Sequence, residues 1–261
     1  MPNSTDIPPS DTSLTFAKGL AVLECFNTAT TALGVPEIAR RCGLDRAVAR
    51  RLVLTLVRSG YVRQAGRSYT LAPRSLVLAS GLLQGQRFGL TVQPVLEGFA
   101  AQARQPLILA LRDGHEAVYV AQAGGSGILP RLGFSLGTRL PLLSTSLGRA
   151  MLGAESEAAR ATVLAEAPLA AWTERTITDR TRLAELIAAA PAGTPVGNVG
   201  EFEPGITATA VGFRGAGGAV AAGGHCGQRA VCGAPPVLLN NCEATRQAGS
   251  SNAVFCLKKK R

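Results

Sequence analysis

Residues 35–71 read VPEIARRCGLDRAVARRLVLTLVRSGYVRQAGRSYTL, and the punctuation of this stretch decides the architecture. Pro36 suits the first turn of a short helix over 35–42, with Ile38 and Ala39 facing inward, and Gly43 breaks it. Asp45 is a good N-cap for a longer helix running to about Ser59, because its carboxylate accepts backbone N–H groups that a first turn leaves open. Val48, Leu52, Val53, Leu56 and Val57 recur at helical spacing and predict the buried face; Arg46, Arg50 and Arg51 project elsewhere. Gly60 stops the helix, and 61–63 and 68–71 read as two short strands around a turn at Ala65-Gly66. Upstream, Leu14, Ala17, Ala21, Val22, Leu23, Cys25 and Phe26 form an apolar stripe over 14–29. Helix, short helix, tight turn, basic helix and hairpin is the order of a winged helix-turn-helix, assigned here to 13–75.

Charge supports that reading by its position. The net charge is +10, and residues 40–74 hold nine arginines against the single acid Asp45. From 91 to 257 there are 12 basic and 12 acidic residues, so the rest is neutral until the closing run 258–261. A basic module beside a neutral one implies nucleic-acid binding in the first and another task in the second. The basic helix can lie in the major groove, with Arg40, Arg46, Ala47, Arg50 and Arg51 facing double-stranded DNA, and the wing arginines Arg63 and Arg67 on an adjacent backbone or minor groove. A plain helical subdomain with a basic face would carry more Lys and more interleaved acids.

Outward from this module, 1–12 is a polar opening predicted to be disordered, and 76–90 a linker helix. Residues 91–226 then change to strands and turns. Helices are predicted over 75–85, 90–104, 145–151, 155–165 and 181–190, and strands over 107–111, 116–122, 128–134, 206–213 and 219–224. An antiparallel sheet with helices on one side gives an α+β ligand-sensing domain. The segment 227–261 has no sustained helical stripe, is interrupted by Pro235-Pro236 and Gly249, and is predicted to be a poorly ordered tail. No stretch approaches the length of a membrane helix, and the opening residues, with Asp6 and Asp11, lack the basic start and apolar core of a secretory signal. A cytoplasmic protein with no membrane partner is the default expectation.

These residues resemble the isocitrate lyase regulator (IclR) family, and more narrowly its branch sensing protocatechuate or 4-hydroxybenzoate. The likeness runs through Lys18-Gly19-Leu20-Ala21-Val22-Leu23, 38–62, Gly137-Thr138-Arg139-Leu140-Pro141, Thr145-Ser146-Leu147-Gly148-Arg149 and Glu201-Phe202-Glu203-Pro204-Gly205-Ile206. It implies a GAF-like sensing domain, a homodimer or homotetramer, and regulation of an operon for catabolism of a small, aromatic carboxylate effector. Val48 departs from the branch, which usually has Thr there, and beyond Cys226 the likeness nearly vanishes. The alternative is a winged-helix DNA-binding protein whose sensor no longer binds ligand.

A carboxylate needs a fixed cation or a cluster of donors in a half-buried pocket. Arg139 and the hydroxyls of Thr145 and Ser146, at the start of a predicted helix, supply such a set. With Leu140, Glu203 and His225 they make the candidate ligand site. The competing reading is that the hydroxyls only cap the helix and that Arg139 pairs with Glu201 or Glu203. Glu201 and Glu203 are expected on opposite faces of an extended segment. No catalytic residues are assigned: there is no G-x-S-x-G elbow, and Gly124-Gly125-Ser126-Gly127 lacks the following Lys of a phosphate loop. Cys25 and Cys42 fall at apolar helix positions and read as small buried hydrophobes. The six cysteines hold no C-x-x-C pair, so no metal and no cofactor is expected.

Overall fold

The computed structural model describes residues 8–26, 30–85, 90, 92–103, 105–124, 135–215, 220–228, 242–244 and 257–259. The chain divides into two compact units, Met1–Leu82 and Leu83–Arg261.

In the first unit α1 (Leu14–Glu24) starts at Ser13, whose hydroxyl accepts the N–H of Phe16. It ends at Cys25, short of the expected residue 29, and Leu14, Phe16 and Leu20 stay exposed, so only the C-terminal half of its apolar stripe is used. α2 (Val35–Cys42) closes on Gly43, whose φ of 63° is the left-handed conformation that ends a helix without a Cβ penalty. α3 (Arg46–Arg58) opens on Asp45, which accepts the Ala47 N–H at 2.7 Å. Ala49 and Val53 are its fully buried residues; Leu52, Leu54, Leu56 and Val57 are half-buried against the same core of Val22, Ile38 and Tyr69. β1 (Val62–Ala65) pairs antiparallel with β2 (Ser68–Leu71), so the turn is Gly66-Arg67, one residue later than the sequence suggested. Leu33 bridges to Tyr69 and fastens the wing to the segment before α2. The unit closes within α4 (Arg74–Gly85), later than the expected boundary at 75.

The second unit is a six-stranded antiparallel sheet. Its elements are α5 (Gln93–Ala103), β3 (Leu107–Asp113), β4 (Glu116–Ala123), β5 (Arg139–Pro141), α6 (Ser146–Ala154), α7 (Glu157–Glu166), α8 (Arg180–Ala188), β6 (Pro195–Val199), β7 (Ile206–Arg214) and β8 (Val220–Gln228). The strand order is β5-β4-β3-β8-β7-β6. Helices cover both faces, which corrects the one-sided expectation. Ile108, Ala110, Tyr119 and Ala222 pack with α6 and α8, whereas Leu107, Leu109, Ala121 and Phe213 pack with Leu96 and Ala100 of α5. Four consecutive buried residues at the start of β3 are the signature of a strand covered on both sides.

Helix α6 lies wholly buried against the sheet, and glycines permit the approach. A Cβ on Gly148 would meet the Leu142 backbone, and one on Gly212 the Ala150 carbonyl. β5 and β6 were not expected as strands. Both are edge strands, where Pro141 and Pro195 are tolerated and pairing compensates for weak propensity. The expected strand at 128–134 and most of the expected tail lie outside the described residues. From that tail, β9 (Cys242–Ala244) and β10 (Leu257–Lys259) pair antiparallel. Among the described residues no helix is long and apolar enough to cross a membrane, and no cluster of three His, Cys, Asp or Glu could hold a metal.

Candidate functional site

Two surfaces carry chemistry. On the first unit, Arg46, Ala47, Arg50 and Arg51 of α3 are exposed together, with Arg63 and Arg67 exposed on the hairpin. Arg63 Nε donates to Thr70 Oγ1 at 2.9 Å, which stiffens the wing. Arg40 is exposed but engaged: its guanidinium donates twice to Glu37, at 2.9 and 2.7 Å. Those bonds, with Arg41 beside them, hold the Glu37 carboxyl at about 2. Arg41 also donates to the Cys25 carbonyl and to Thr30 Oγ1, so it ties α2 to the end of α1 rather than facing outward.

On the second unit a cavity opens between the sheet, the N-terminus of α6 and the turn segment after β6. Leu140, Thr145, Ser146, Glu203 and His225 line it, as five of the six expected ligand residues. Arg139 does not. Its side chain is half exposed, donating to Glu116 and pairing with Asp113 at 2.9 Å, so β5 turns it outward toward two carboxylates. Neither Glu201 nor Glu203 is its partner.

Thr145 is the N-cap of α6. Its Oγ1 donates to the Pro141 carbonyl at 2.8 Å and accepts the Gly148 N–H at 3.2 Å, so this hydroxyl is committed to the cap. Helix geometry leaves the N–H groups of Ser146 and Leu147 with no carbonyl of their own helix ahead of them, and the helix dipole favours an anion there. The apolar wall is Ile108, Leu140, Leu147, Phe202 and Ile206.

Glu201 and Glu203 belong to a turn segment, not to the extended segment expected. Glu201 meets the buried Arg149 through two hydrogen bonds, at 3.1 and 2.5 Å, while Arg149 Nε donates to the Leu143 carbonyl. Thr173 and Thr176 donate to the carbonyls of Gly200 and Glu201, and Trp172 packs on Phe202 with ring centroids 4.9 Å apart. This bracing presents Phe202 and Glu203 to the cavity.

Strand alternation sends the candidate His225 and its neighbour Cys226 to opposite faces of β8. Cys226 and its partner Ala208 face the cavity core, so His225 and its partner Thr209 point to the other face, and His225 reaches the wall only between Gly224 and Cys226. Burial pushes the His225 imidazole below its ordinary value, and its Nδ1 is buried without a hydrogen-bond partner among the described residues. Reasoning from sequence missed Tyr119, Asn198 and Cys226. Burial pushes the Tyr119 phenol up and keeps it protonated, and Asn198 is held by bonds to the Ser144 carbonyl and the Glu201 N–H.

A model of the IclR helix-turn-helix domain matches residues 15–66, and one of the bacterial transcriptional regulator IclR C-terminal region matches residues 83–223. The chain is 33% identical over 175 residues to the Pca regulon regulatory protein of Pseudomonas putida, covering 67% of this chain and 60% of that protein. It is 30% identical over 214 residues to the p-hydroxybenzoate hydroxylase transcriptional activator of Acinetobacter baylyi, covering 80% of this chain and 79% of that protein. Among solved structures it is similar to an IclR homologue of Microbacterium hydrocarbonoxydans complexed with 4-hydroxybenzoate. That match has 25% identity and a TM-score of 0.68, and covers 86% of this chain and 92% of that one. The chain spans 60% of the length of each of the first two curated relatives it matches.

Proposed function

Because the chain belongs to the IclR family of bacterial transcriptional regulators, we propose that it binds operator DNA and answers to a small aromatic carboxylate. The exposed arginines of α3 and the wing would read and hold the duplex, with Arg40 released from Glu37 onto a phosphate. The regulator would act in the cytoplasm as a homodimer or homotetramer. In support of self-association, Leu14 and Phe16 of α1 and Leu76, Val77 and Leu78 of α4 are exposed large apolar side chains.

The observation that carries the effector reading is the cavity's composition. Its walls are apolar, and the start of α6 offers N–H groups to a carboxylate. Arg139 is turned away and already paired, so we place the carboxylate on the N–H groups of Ser146 and Leu147 with the Ser146 hydroxyl beside it. The ring would lie against Leu140, Leu147, Phe202 and Ile206. Glu203, an acid at the wall, would repel a second anion but accept a bond from a ring hydroxyl. The relatives named for p-hydroxybenzoate hydroxylase and the Pca regulon support that substrate class.

Calorimetry with 4-hydroxybenzoate, protocatechuate and benzoate tests it. The two hydroxylated acids are expected to bind more tightly than benzoate, and Glu203→Gln to narrow that difference. Arg139→Ala is expected to leave the heats unchanged. Loss of binding in Arg139→Ala would return the anchor to Arg139, and equal affinity for all three acids would remove Glu203 from the site.

A further inference from the structure

The first unit holds a pair of thiols that neither surface uses. Cys25 caps α1 and Cys42 ends α2, and their Sγ atoms stand 2.8 Å apart. Both are free and half-buried against the core of that unit. They meet because the two helices end at one place. Gly43 terminates α2 there, and Arg41 donates to the Cys25 carbonyl and so pins one helix end to the other. Cys42 Sγ is further placed by its contact with the Ala21 carbonyl at 3.6 Å. Read singly, each thiol is a small hydrophobe; side by side they are a dithiol.

We propose that Cys25 and Cys42 form a reversible redox modification site, closing to an intradomain disulfide on exposure to a peroxide. A disulfide bond is about 2.05 Å long, so the sulfurs need to approach by less than about 1 Å. The Cys25 thiolate attacks one peroxide oxygen, the O–O bond breaks, and one water leaves with a sulfenic acid on Cys25. Cys42 sulfur then attacks the sulfenic sulfur, the S–O bond breaks, and a second water leaves. Two thiols are oxidised and one peroxide is reduced to two waters. Cys42 Sγ is engaged with the Ala21 carbonyl and burial pushes its thiol up, which leaves Cys25 the attacking partner and Cys42 the resolving one. The bond cross-links α1 to α2 and leaves the exposed arginines of α3 untouched, so it braces the unit against unfolding.

Peptide mapping of the full chain decides this. After hydrogen peroxide treatment the remaining thiols are alkylated, and trypsin cuts after Lys18, Arg40, Arg41 and Arg46, placing Cys25 in 19–40 and Cys42 in 42–46. The expected product is these two peptides joined, lighter by two hydrogens than their sum and separated by dithiothreitol. In Cys42→Ser, which must still retard operator DNA, the linked species is expected to vanish and Cys25 to oxidise beyond the sulfenic acid. Alkylation of both thiols in treated wild type would overturn the proposal, as would linkage of either to Cys226, Cys232, Cys242, Cys256 or a second chain.

Discussion

Arg50 and Arg51 leave α3 about 100° apart, the angle between successive helical residues. One can therefore enter a groove toward a base edge while the other lies along the phosphates. Replacing both by Ala is expected to weaken operator binding by roughly 1–3 kcal/mol for a lost base contact and to flatten the salt dependence by about one counterion per lost phosphate contact. Gel-shift titrations at several salt concentrations measure both; unchanged affinity and slope would remove these residues from the interface. Arg139 and Arg149 show how little residue type says about role. Both stand in the same stretch beside the cavity, yet Arg139 is solvated between two acids and Arg149 is buried on Glu201. Nothing local in the sequence distinguishes them, because the difference is which strand or helix face each occupies.

At the scale of elements, the contact between α6 and the segment carrying Glu201 is the joint of the second unit. Arg149 is buried and Glu201 half-buried, so removing Glu201 leaves an uncompensated buried charge and removing Arg149 leaves a carboxylate without its cation. Arg149→Ala is expected to cost about 3–5 kcal/mol, read as a lower urea midpoint for the second unit. An unchanged midpoint would show that Thr173, Thr176 and Asn198 hold the segment alone. The helices of both units were legible because their caps are local chemistry: Asp45, Thr145 and Asp179 each accept N–H groups at a helix start. The edge strands β5 and β6 were not, since their sequences are poor strand formers and only pairing orders them.

For the whole molecule, the exposed apolar side chains of α1 and α4 predict a chain that self-associates through its first unit. Replacing Leu14 and Phe16 with Asp is expected to shift the species measured by light scattering from dimer or larger toward monomer, and to weaken binding to a two-half-site operator more than to a single half-site. A variant of unchanged mass would place the interface elsewhere.

Sequence alone determined the winged helix-turn-helix, the basic face of α3 and the second unit's α+β class, because caps, breaks, charge and periodicity act within a few residues. It also named five residues of the cavity wall, Leu140, Thr145, Ser146, Glu203 and His225. Tertiary structure decided that the sheet is covered on both faces, that Arg139 turns away from the cavity, and that His225 and Cys226 part to opposite sides. It also brought Cys25 within reach of Cys42. Each of those outcomes depends on which residues from distant segments share a strand face or a helix end, and pairing across the fold, not neighbourhood along the chain, sets that.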